Sequence, residues 1–254
     1  MANFSDLILE YKDVLDRDKC QEIIRRFEES PLKGDGQTAD RSPSKSKVST
    51  DLYISHLNDW ADIDDYIFNE FNQYVKKYLN FLDDYFGGKV RASNTRIMDS
   101  GYQIQRTQVG EYYRWHTDDQ YSAVFDSITL PISGNPDTGS AGYQRRLFTY
   151  IFYLNEGFSG GRTQFKVGPK ESDIISIVPE TGKLICFPAN FLYPHQGEEV
   201  TDGVKYLVTG WVSDYIRAPL MDSSPMSDEW RKEYSDQGRK LLLKTNPETG
   251  TLTL

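Results

Sequence analysis

Apolar residues recur at helical spacing in two stretches of the first third of the chain. In the first stretch they are Cys20, Ile23, Ile24 and Phe27. In the second stretch, from Asp59 to about Phe86, they form one continuous side made up of Ile63, Ile67, Phe71, Tyr74, Val75, Tyr78, Leu79 and Leu82. Asp16 or Asp18 could cap the first helix, and Gly87-Gly88 ends the second, because glycine commonly follows a helix C-terminus. The pattern predicts two helices, the second packed against a sheet.

From Val90 to Tyr215 the pattern changes to short apolar runs separated by turn residues, and an earlier strand is expected from Val48 to Ser55. The strands predicted in this region are Gln103–Val109, Tyr112–Trp115, Leu147–Leu154, Arg162–Val167, Ile174–Val178, Leu184–Phe187 and Tyr206–Val212. Glycine and proline turn signals lie between them, as in Ser159-Gly160-Gly161. Many short strands at regular spacing are typical of a β-sandwich or barrel.

The 254 residues suit a single domain, 1–254. Its expected parts are a helical support region at 1–89 with a mobile polar loop at 31–47, a strand-rich core at 90–216, and a C-terminal helix (Ser227–Leu243) with a loose tail at 217–254. A second long loop is expected at 120–145. Long loops in compact domains are often functional, so this one is expected at the rim of a site.

Composition excludes several classes of protein. The net charge of −9 argues against a nucleic-acid binder, which needs a basic surface. The two cysteines, Cys20 and Cys186, cannot build a disulfide framework or a cysteine-based zinc site. Neither a signal peptide nor a membrane-spanning apolar run is visible. We therefore expect a cytoplasmic protein that binds neither nucleic acid nor membrane, and the oligomeric state is left open.

The candidate chemistry centres on His116-Thr117-Asp118, which contains one of only three histidines in the chain. On an extended strand, residues two apart point the same way, so an imidazole and a carboxylate would lie side by side. His195 is the candidate third ligand. Two histidines and one carboxylate with open positions describe a non-haem Fe(II) oxygenase site. We assign no ligand role to His56, which precedes the second helix and suits a capping or surface position.

Residues downstream add candidate polar groups on strands. Lys205 and Trp211 are an even number of positions apart on one predicted strand, so their side chains should face the same side. A buried lysine there would need an anionic partner such as the carboxylate of a bound acid. A surface lysine at a strand start is the alternative. Tyr153 has a hydroxyl that could point inward, although core packing is the simpler interpretation. Thr163 and Phe165 follow a tight glycine turn and share one face.

The order and spacing of these motifs resemble a known family. His-x-Asp is followed by Tyr-Leu-Asn (153–155), Gly-Gly-x-Thr-x-Phe (160–165), Gly-x-Leu-Ile-x-Phe (182–187), His195, a lysine ten residues later and a tryptophan six after that. This run, from about Tyr102 to Tyr215, is similar to the prolyl 4-hydroxylase branch of the Fe(II)/2-oxoglutarate-dependent dioxygenases. The resemblance implies an α+β, mainly β fold, a double-stranded β-helix or jelly roll with buttressing N-terminal helices and a C-terminal helix.

The resemblance also implies roles for individual residues. Fe(II) would be held by His116, Asp118 and His195, with 2-oxoglutarate as cosubstrate and O2 as oxidant; ascorbate is a further candidate cofactor. The cosubstrate pocket would be formed by Lys205, which pairs with the distal carboxylate, Tyr153, Thr163, Trp211 and Gln105. Many relatives have a tyrosine where this chain has Thr107, so Gln105 or Tyr102 would fill that space.

The expected activity is hydroxylation of an unactivated C–H bond, with a prolyl residue of a peptide or protein as the leading substrate. A free amino acid or another small molecule is the alternative substrate. A nucleic-acid dealkylase shares the ligand set, but the acidic charge argues against it. A jelly-roll binding protein without catalysis is the alternative of another class, and the complete ligand set with Lys205 argues against it.

Overall fold

The computed structural model describes residues 4–38, 46–88, 96–125, 141–170, 172–217, 244–245 and 252–253. Within them, helix α1 spans Arg17–Glu29, helix α2 spans Ala61–Tyr85, and 3₁₀ turns lie at Phe4–Leu7 and Asn58–Trp60. Both predicted helices are confirmed. The predicted C-terminal helix, Ser227–Leu243, lies outside the described residues.

The ends of the two helices follow from their sequences. The Asp16 carboxylate accepts hydrogen bonds from the backbone N–H groups of Asp18 and Lys19, which have no partner inside the first turn of α1. Gly87, just beyond α2, has a φ of 69°, a left-handed conformation that glycine adopts without steric cost.

The strands, in chain order, are β1 Leu9–Tyr11, β2 Gly34–Asp35, β3 Lys47–Val48, β4 Thr50–Tyr53, β5 Arg96–Asp99, β6 Gln103–Thr107, β7 Tyr112–His116, β8 Tyr121–Phe125, β9 Ala141–Tyr153, β10 Ser159–Gly160, β11 Thr163–Lys166, β12 Ile174–Ile177, β13 Leu184–Pro188, β14 His195–Gly197, β15 Val200–Asp202, β16 Lys205–Arg217, β17 Lys244–Thr245 and β18 Leu252–Thr253. All seven strands predicted between residues 103 and 212 are present, with ends that differ by a few residues.

These strands build two antiparallel sheets. The major sheet has the order β1-β13-β9-β16-β6-β4-β2, with β5 also paired to β16 and β8 to β9. The minor sheet has the order β12-β11-β14-β7-β3, and β10–β15 and β17–β18 form separate pairs. Residues of both sheets line one cavity between them. This is the double-stranded β-helix that the family resemblance implied.

The helices cover one face of the major sheet, and strand alternation separates two apolar cores. On β9, Tyr150 and Phe152 join the core on the helix side, while Ile151 and Tyr153 join the core on the side of the minor sheet. Phe71 of α2 packs on Tyr150 with ring centroids 4.2 Å apart. The inner face of the sheet therefore carries the second apolar core and also lines the cavity.

Four expectations, about two loops, one strand and the tail, need correction. Both ends of the loop expected at 120–145 are strands. β8 pairs with the start of β9, from Tyr121 opposite Arg145 to Phe125 opposite Ala141. The loop was suggested by Gly134, Pro136, Gly139 and Gly142. The first three lie in 126–140, outside the described residues, whereas Gly142 lies in β9 opposite Val124, and Tyr121, Val124 and Phe125 are strand formers.

The segment expected to be a mobile loop at 31–47 carries β2 and the first residue of β3, and its residues 39–45 lie outside the described part. The strand expected from Val48 to Ser55 is divided near Ser49, because β3 joins the minor sheet and β4 joins the major one. In the expected loose tail, β17 and β18 pair with each other. None of the helices in the described part of the chain is both long and apolar enough to cross a bilayer.

Candidate metal centre

Two strand ends bring the candidate ligands together. His116 is the last residue of β7, Asp118 follows two residues later, and His195 is the first residue of β14. In the antiparallel pair β7–β14, His195 lies directly opposite His116. Residues opposed in this way have neighbouring side chains, so strand pairing closes a distance of 79 positions along the chain.

The potential ligand atoms converge on one point. Asp118 Oδ1 lies 3.6 Å from His116 Nε2, and Asp118 Oδ2 lies 3.5 Å from His195 Nε2. One ligand atom from each residue can be chosen so that all three lie within 4.8 Å of one another. Asp118 and His195 are buried and His116 is half-buried.

Backbone carbonyls orient both imidazole rings. His116 Nδ1 lies 2.8 Å from the Arg114 carbonyl oxygen, and His195 Nδ1 lies 3.1 Å from that of Tyr193. A carbonyl only accepts, so each Nδ1 must carry the hydrogen and donate it. The Nε2 lone pair of each ring is then left for a metal.

The charges in the cluster suit a divalent cation. Burial, with the adjacent His195, lowers the pKa of His116 to about 4, so this ring is neutral at pH 7. Burial opposes ionisation of Asp118, but the neighbouring imidazoles of His195 and His116 and the Thr149 hydroxyl hold the pKa of Asp118 below its usual value. A carboxylate and two imidazoles, with no sulfur ligand, fit Fe(II) in a site with open positions.

The cluster opens into a cavity of about 760 Å³ between the two sheets. Every second residue of β16 lines this cavity: Lys205, Leu207, Thr209 and Trp211. Lys205 and Trp211 therefore face the same side, as their spacing predicted. Of the other residues proposed for the cosubstrate pocket, Thr163 and Gln105 also line it.

Lys205 is a buried cation, only 3% exposed. Its Nζ donates a hydrogen bond to the Gly161 carbonyl oxygen at 2.6 Å. Within the described ranges no carboxylate oxygen lies within 4.0 Å of that nitrogen. Burial lowers the pKa of Lys205 to about 8, and the more distant Glu198 opposes the shift. The ammonium is therefore available to an acid that enters the cavity.

Tyr153 and Thr163 form a buried pair near this lysine. The Tyr153 hydroxyl donates to Thr163 Oγ1 at 2.7 Å, and burial raises the tyrosine pKa, so the hydroxyl stays protonated. Lys205 Nζ lies 5.6 Å from the centre of the Tyr153 ring. Tyr153 itself is fully buried and is not one of the residues that line the cavity.

Two residues of β6, Thr107 and Gln105, lie close to the Lys205 end of the cavity. Thr107 lies opposite Lys205 in the β6–β16 pair, and both Thr107 and Gln105 line the cavity. Tyr102 does not line the cavity. Its ring belongs to the core on the helix side, and its hydroxyl donates to Asp99.

Two residues of β9 that sequence reasoning missed contact the ligand Asp118. Thr149 Oγ1 donates to Asp118 Oδ2 at 2.6 Å, and Arg146 Nη1 lies 3.4 Å from the Asp118 carbonyl oxygen. The Arg146 guanidinium also lies 3.4 Å from the centre of the Trp211 ring. Period-two alternation from Tyr153 places Thr149 on the same face, a signal that could have found it.

A polar network on the cavity wall was also missed. Lys47 Nζ and Gln103 Nε2 each donate to Asp51 Oδ2 at 2.6 Å, and Ser49 Oγ donates to Asp51 Oδ1 at 2.9 Å. Lys47 Nζ lies 5.4 Å from the centre of the Tyr113 ring. That ring stacks on the His116 imidazole at 3.6 Å. The network therefore adjoins the metal centre through one aromatic ring.

Comparison with known sequences agrees with this geometry. Residues 102–213 match the family model of the 2OG-Fe(II) oxygenase superfamily. A PKHD-type hydroxylase of Synechococcus sp. (strain CC9605) is 24% identical over 115 residues, 45% of this chain and 42% of that protein. Prolyl 3-hydroxylase 1 of Gallus gallus is 21% identical over 237 residues, 91% of this chain and 31% of that protein. The chain spans less than half the length of these curated relatives.

Solved structures share the fold. A viral collagen prolyl hydroxylase from Paramecium bursaria chlorella virus 1, in complex with 2OG, superposes with a TM-score of 0.52 at 17% identity, covering 82% of this chain and 96% of that one. A Trichoplax adhaerens prolyl hydroxylase, in complex with a peptide fragment of the hypoxia inducible factor oxygen degradation domain, also gives 0.52 at 17% identity, covering 83% of each chain. Residues 102–213 are therefore similar to the 2OG-Fe(II) oxygenase superfamily, and the chain shares the double-stranded β-helix fold of the prolyl hydroxylases.

Proposed function

We propose that the protein is an Fe(II)- and 2-oxoglutarate-dependent dioxygenase that hydroxylates an unactivated C–H bond, with a prolyl residue of a peptide or protein as its substrate. One observation carries the proposal. The cluster of His116, Asp118 and His195 opens into a cavity that also contains the buried ammonium of Lys205. A metal centre and a buried cation in one cavity suit a cosubstrate with an acid at each end.

In this proposal each group has one task. The imidazoles of His116 and His195 and the Asp118 carboxylate hold Fe(II). Bound iron supplies the chemistry that couples decarboxylation of 2-oxoglutarate by O2 to oxidation of the substrate C–H bond. The Lys205 ammonium orients the cosubstrate through a charge-assisted hydrogen bond to its distal carboxylate. Tyr153 and Thr163 support that pocket, and Gln105 and Trp211 form its walls.

The walls of the cavity support a peptide as the substrate. They present hydroxyl and amide groups that both donate and accept hydrogen bonds, from Gln37, Thr38, Gln120, Gln196 and Thr209. Peptide backbone offers the same neutral donors and acceptors. Leu32 and Tyr53 also line the cavity and expose apolar side chains, 61% and 56% exposed, that could pack on a substrate.

One observation favours a small acid as the second candidate substrate. Arg146 faces the cavity near Asp118, and in the described part of the chain no carboxylate oxygen lies within 4.0 Å of its guanidinium. Desolvation lowers the pKa of Arg146, as expected for a cation held away from water. A free amino acid could place its carboxylate against this group.

The test is an assay of succinate formation with Fe(II), 2-oxoglutarate and O2, first without substrate and then with peptide pools and free amino acids. We expect peptides that contain proline to raise succinate formation and to gain the mass of one oxygen atom. Mass gain on free amino acids, and on no proline peptide, would favour the second candidate.

Site variants give the matched control. His116→Ala and Asp118→Ala should abolish succinate formation because each removes a ligand of the metal. His56→Ala changes the exposed histidine outside the cluster and should leave the rate unchanged. Undiminished turnover in the two ligand variants would refute the proposed centre.

A further inference from the structure

The two carboxylate oxygens of Asp118 have different surroundings. Oδ2 accepts the hydrogen bond from Thr149 Oγ1 at 2.6 Å and lies 3.5 Å from His195 Nε2. Oδ1 lies 3.6 Å from His116 Nε2. Asp118 is 8% exposed, so bulk water gives little compensation for a missing hydrogen bond. Each oxygen therefore faces one imidazole, and Oδ2 also accepts a hydrogen bond from the Thr149 hydroxyl.

The hydroxyl of Thr149 is held firmly in place. Thr149 is 1% exposed, in the middle of β9, opposite Phe187 of β13 on one side and Trp211 of β16 on the other. A β-branched side chain has restricted rotation about χ1, and strands paired on both sides prevent the backbone from moving. A hydroxyl has one hydrogen, and a carboxylate only accepts, so that hydrogen lies on the line to Asp118.

We infer that Thr149 is a positioning residue that makes Asp118 a single-oxygen ligand, by engaging Oδ2 and leaving Oδ1 for the metal. The inference rests on the proposed function. A carboxylate can also bind a cation through both oxygens, which would use one more coordination position. The cosubstrate and O2 need the positions that three single-atom ligands leave open. The Thr149 hydrogen bond fixes the plane of the carboxylate and opposes that second contact.

The first experiment measures metal affinity rather than turnover. Thr149→Val has nearly the same shape without the donor, and Thr149→Ser keeps the donor. Titration calorimetry with Mn(II), followed by Fe(II) under anaerobic conditions, should show a 10- to 100-fold rise in Kd for Thr149→Val, the usual effect of losing a group that supports a metal ligand. Thr149→Ser should stay within about threefold of the wild type, since its hydroxyl restores the hydrogen bond.

A structural role alone would not give this pattern. The metal-free melting temperature shows whether each variant folds. If Thr149→Val is unstable, Thr149→Ala removes the same hydroxyl without placing a second methyl group, and its expected loss of affinity is the same. Wild-type affinity in a folded variant that lacks the hydroxyl would overturn the inference.

A spectroscopic measurement examines the ligation itself. In the Co(II)-loaded protein, the visible absorption of the wild type and Thr149→Ser should coincide. Thr149→Val should differ, and X-ray absorption should show more oxygen neighbours around its metal, because both Asp118 oxygens can then approach. The same oxygen count in all three proteins would contradict the inference.

Asp118→Ala separates this inference from the proposed function. If the wild type binds no divalent metal, the proposed function fails. If the wild type binds metal, Asp118→Ala does not, and Thr149→Val binds as the wild type does, only the role of Thr149 fails.

Discussion

The burial of the Lys205 ammonium favours binding of an acid in the cavity. Removing a cation from water is unfavourable, and here a single backbone carbonyl accepts from Nζ, at 2.6 Å. The pKa of about 8 reflects that burial. An acid in the cavity would supply the missing opposite charge and would raise the pKa again.

A pH profile follows from this residue. Without ligand, the protein carries the Lys205 charge below about pH 8 and loses it as the pH rises through that value. The kcat/KM for 2-oxoglutarate should therefore fall above about pH 8. Steady-state kinetics from pH 6 to 10 would measure this fall, and Lys205→Arg, which stays charged throughout, should lack it. An alkaline fall that persists in Lys205→Arg would assign it to another group.

The acid limb of the same profile concerns His116. Its pKa of about 4 keeps the ring neutral in mild acid, so protons compete with the metal only as the pH approaches that value.

Lys205→Met should raise the KM for 2-oxoglutarate. A hydrogen bond to a charged group contributes about 1.5–3 kcal/mol, which corresponds to a rise of about 10- to 100-fold. Turnover at saturating cosubstrate should change less, since the proposed function places the lysine at the end of the molecule away from the reacting carbon. A KM equal to that of the wild type would place the cosubstrate acid elsewhere.

At the scale of elements, the segment from β3 to β4 joins the two sheets at the wall of the cavity. β3 pairs with β7 of the minor sheet, and β4 pairs with β6 of the major sheet. The buried ion pair between Lys47 and Asp51 connects the two strands. Gly36 packs directly on it, because a Cβ at that position would lie 2.1 Å from Ser49 Oγ. The pair therefore closes one edge of the cavity beside the metal centre.

Removing one partner of this ion pair should lower the stability of the protein. Lys47→Met leaves the Asp51 carboxylate buried without its cation, and we expect the free energy of unfolding to fall by about 3–5 kcal/mol. Urea denaturation measures the loss. Lys47→Met combined with Asp51→Leu should lose less, because no charge is then left unpaired.

The control for this prediction is an exposed pair. Lys12 and Glu180 are 3.0 Å apart, with side chains 68% and 37% exposed, so Lys12→Met should cost less than about 1 kcal/mol. Equal losses in the two lysine variants would show that the Lys47 pair contributes no more than a surface contact.

At the scale of the whole molecule, one face of the major sheet packs against the helices and the other face lines the cavity. Helices α1 and α2 bury the outer side in an apolar core, and the inner side faces the cavity. The candidate ligands lie on strands of the minor sheet and just after β7, and Asp118 is joined to the major sheet by the hydrogen bond from Thr149 of β9. A bound cation would therefore stabilise the folded chain as a whole.

Metal binding should raise the melting temperature. A ligand that binds only the folded state adds about 2.7 kcal/mol at a concentration 100 times its Kd. Differential scanning fluorimetry with Mn(II) should show a rise that 2-oxoglutarate increases and a chelator reverses. His195→Ala should show no such rise. An equal rise in His195→Ala would mean that the metal binds elsewhere.

Much of the fold was predictable because its signals are local. Apolar spacing in α2 and the alternation along β9 and β16 depend on residues a few positions apart, and the structure confirms these elements. The candidate ligands were found by residue type and spacing, and the structure brings them together. That they bind a metal, that Lys205 binds the cosubstrate, and that residues 1–254 form one domain all stay predictions.

The amino-acid sequence by itself determined which faces of the helices and strands are apolar and which residue types could make a metal site, since both depend on short-range chemistry. Only the tertiary structure decided that the strand after Lys47 divides between two sheets, that Thr149 donates to one oxygen of Asp118, and that Tyr102 turns away from the cavity. The physical reason is that such contacts depend on strand register and on how two sheets face each other. Backbone hydrogen bonds and packing over the whole chain select these features, and no local pattern of residues encodes them.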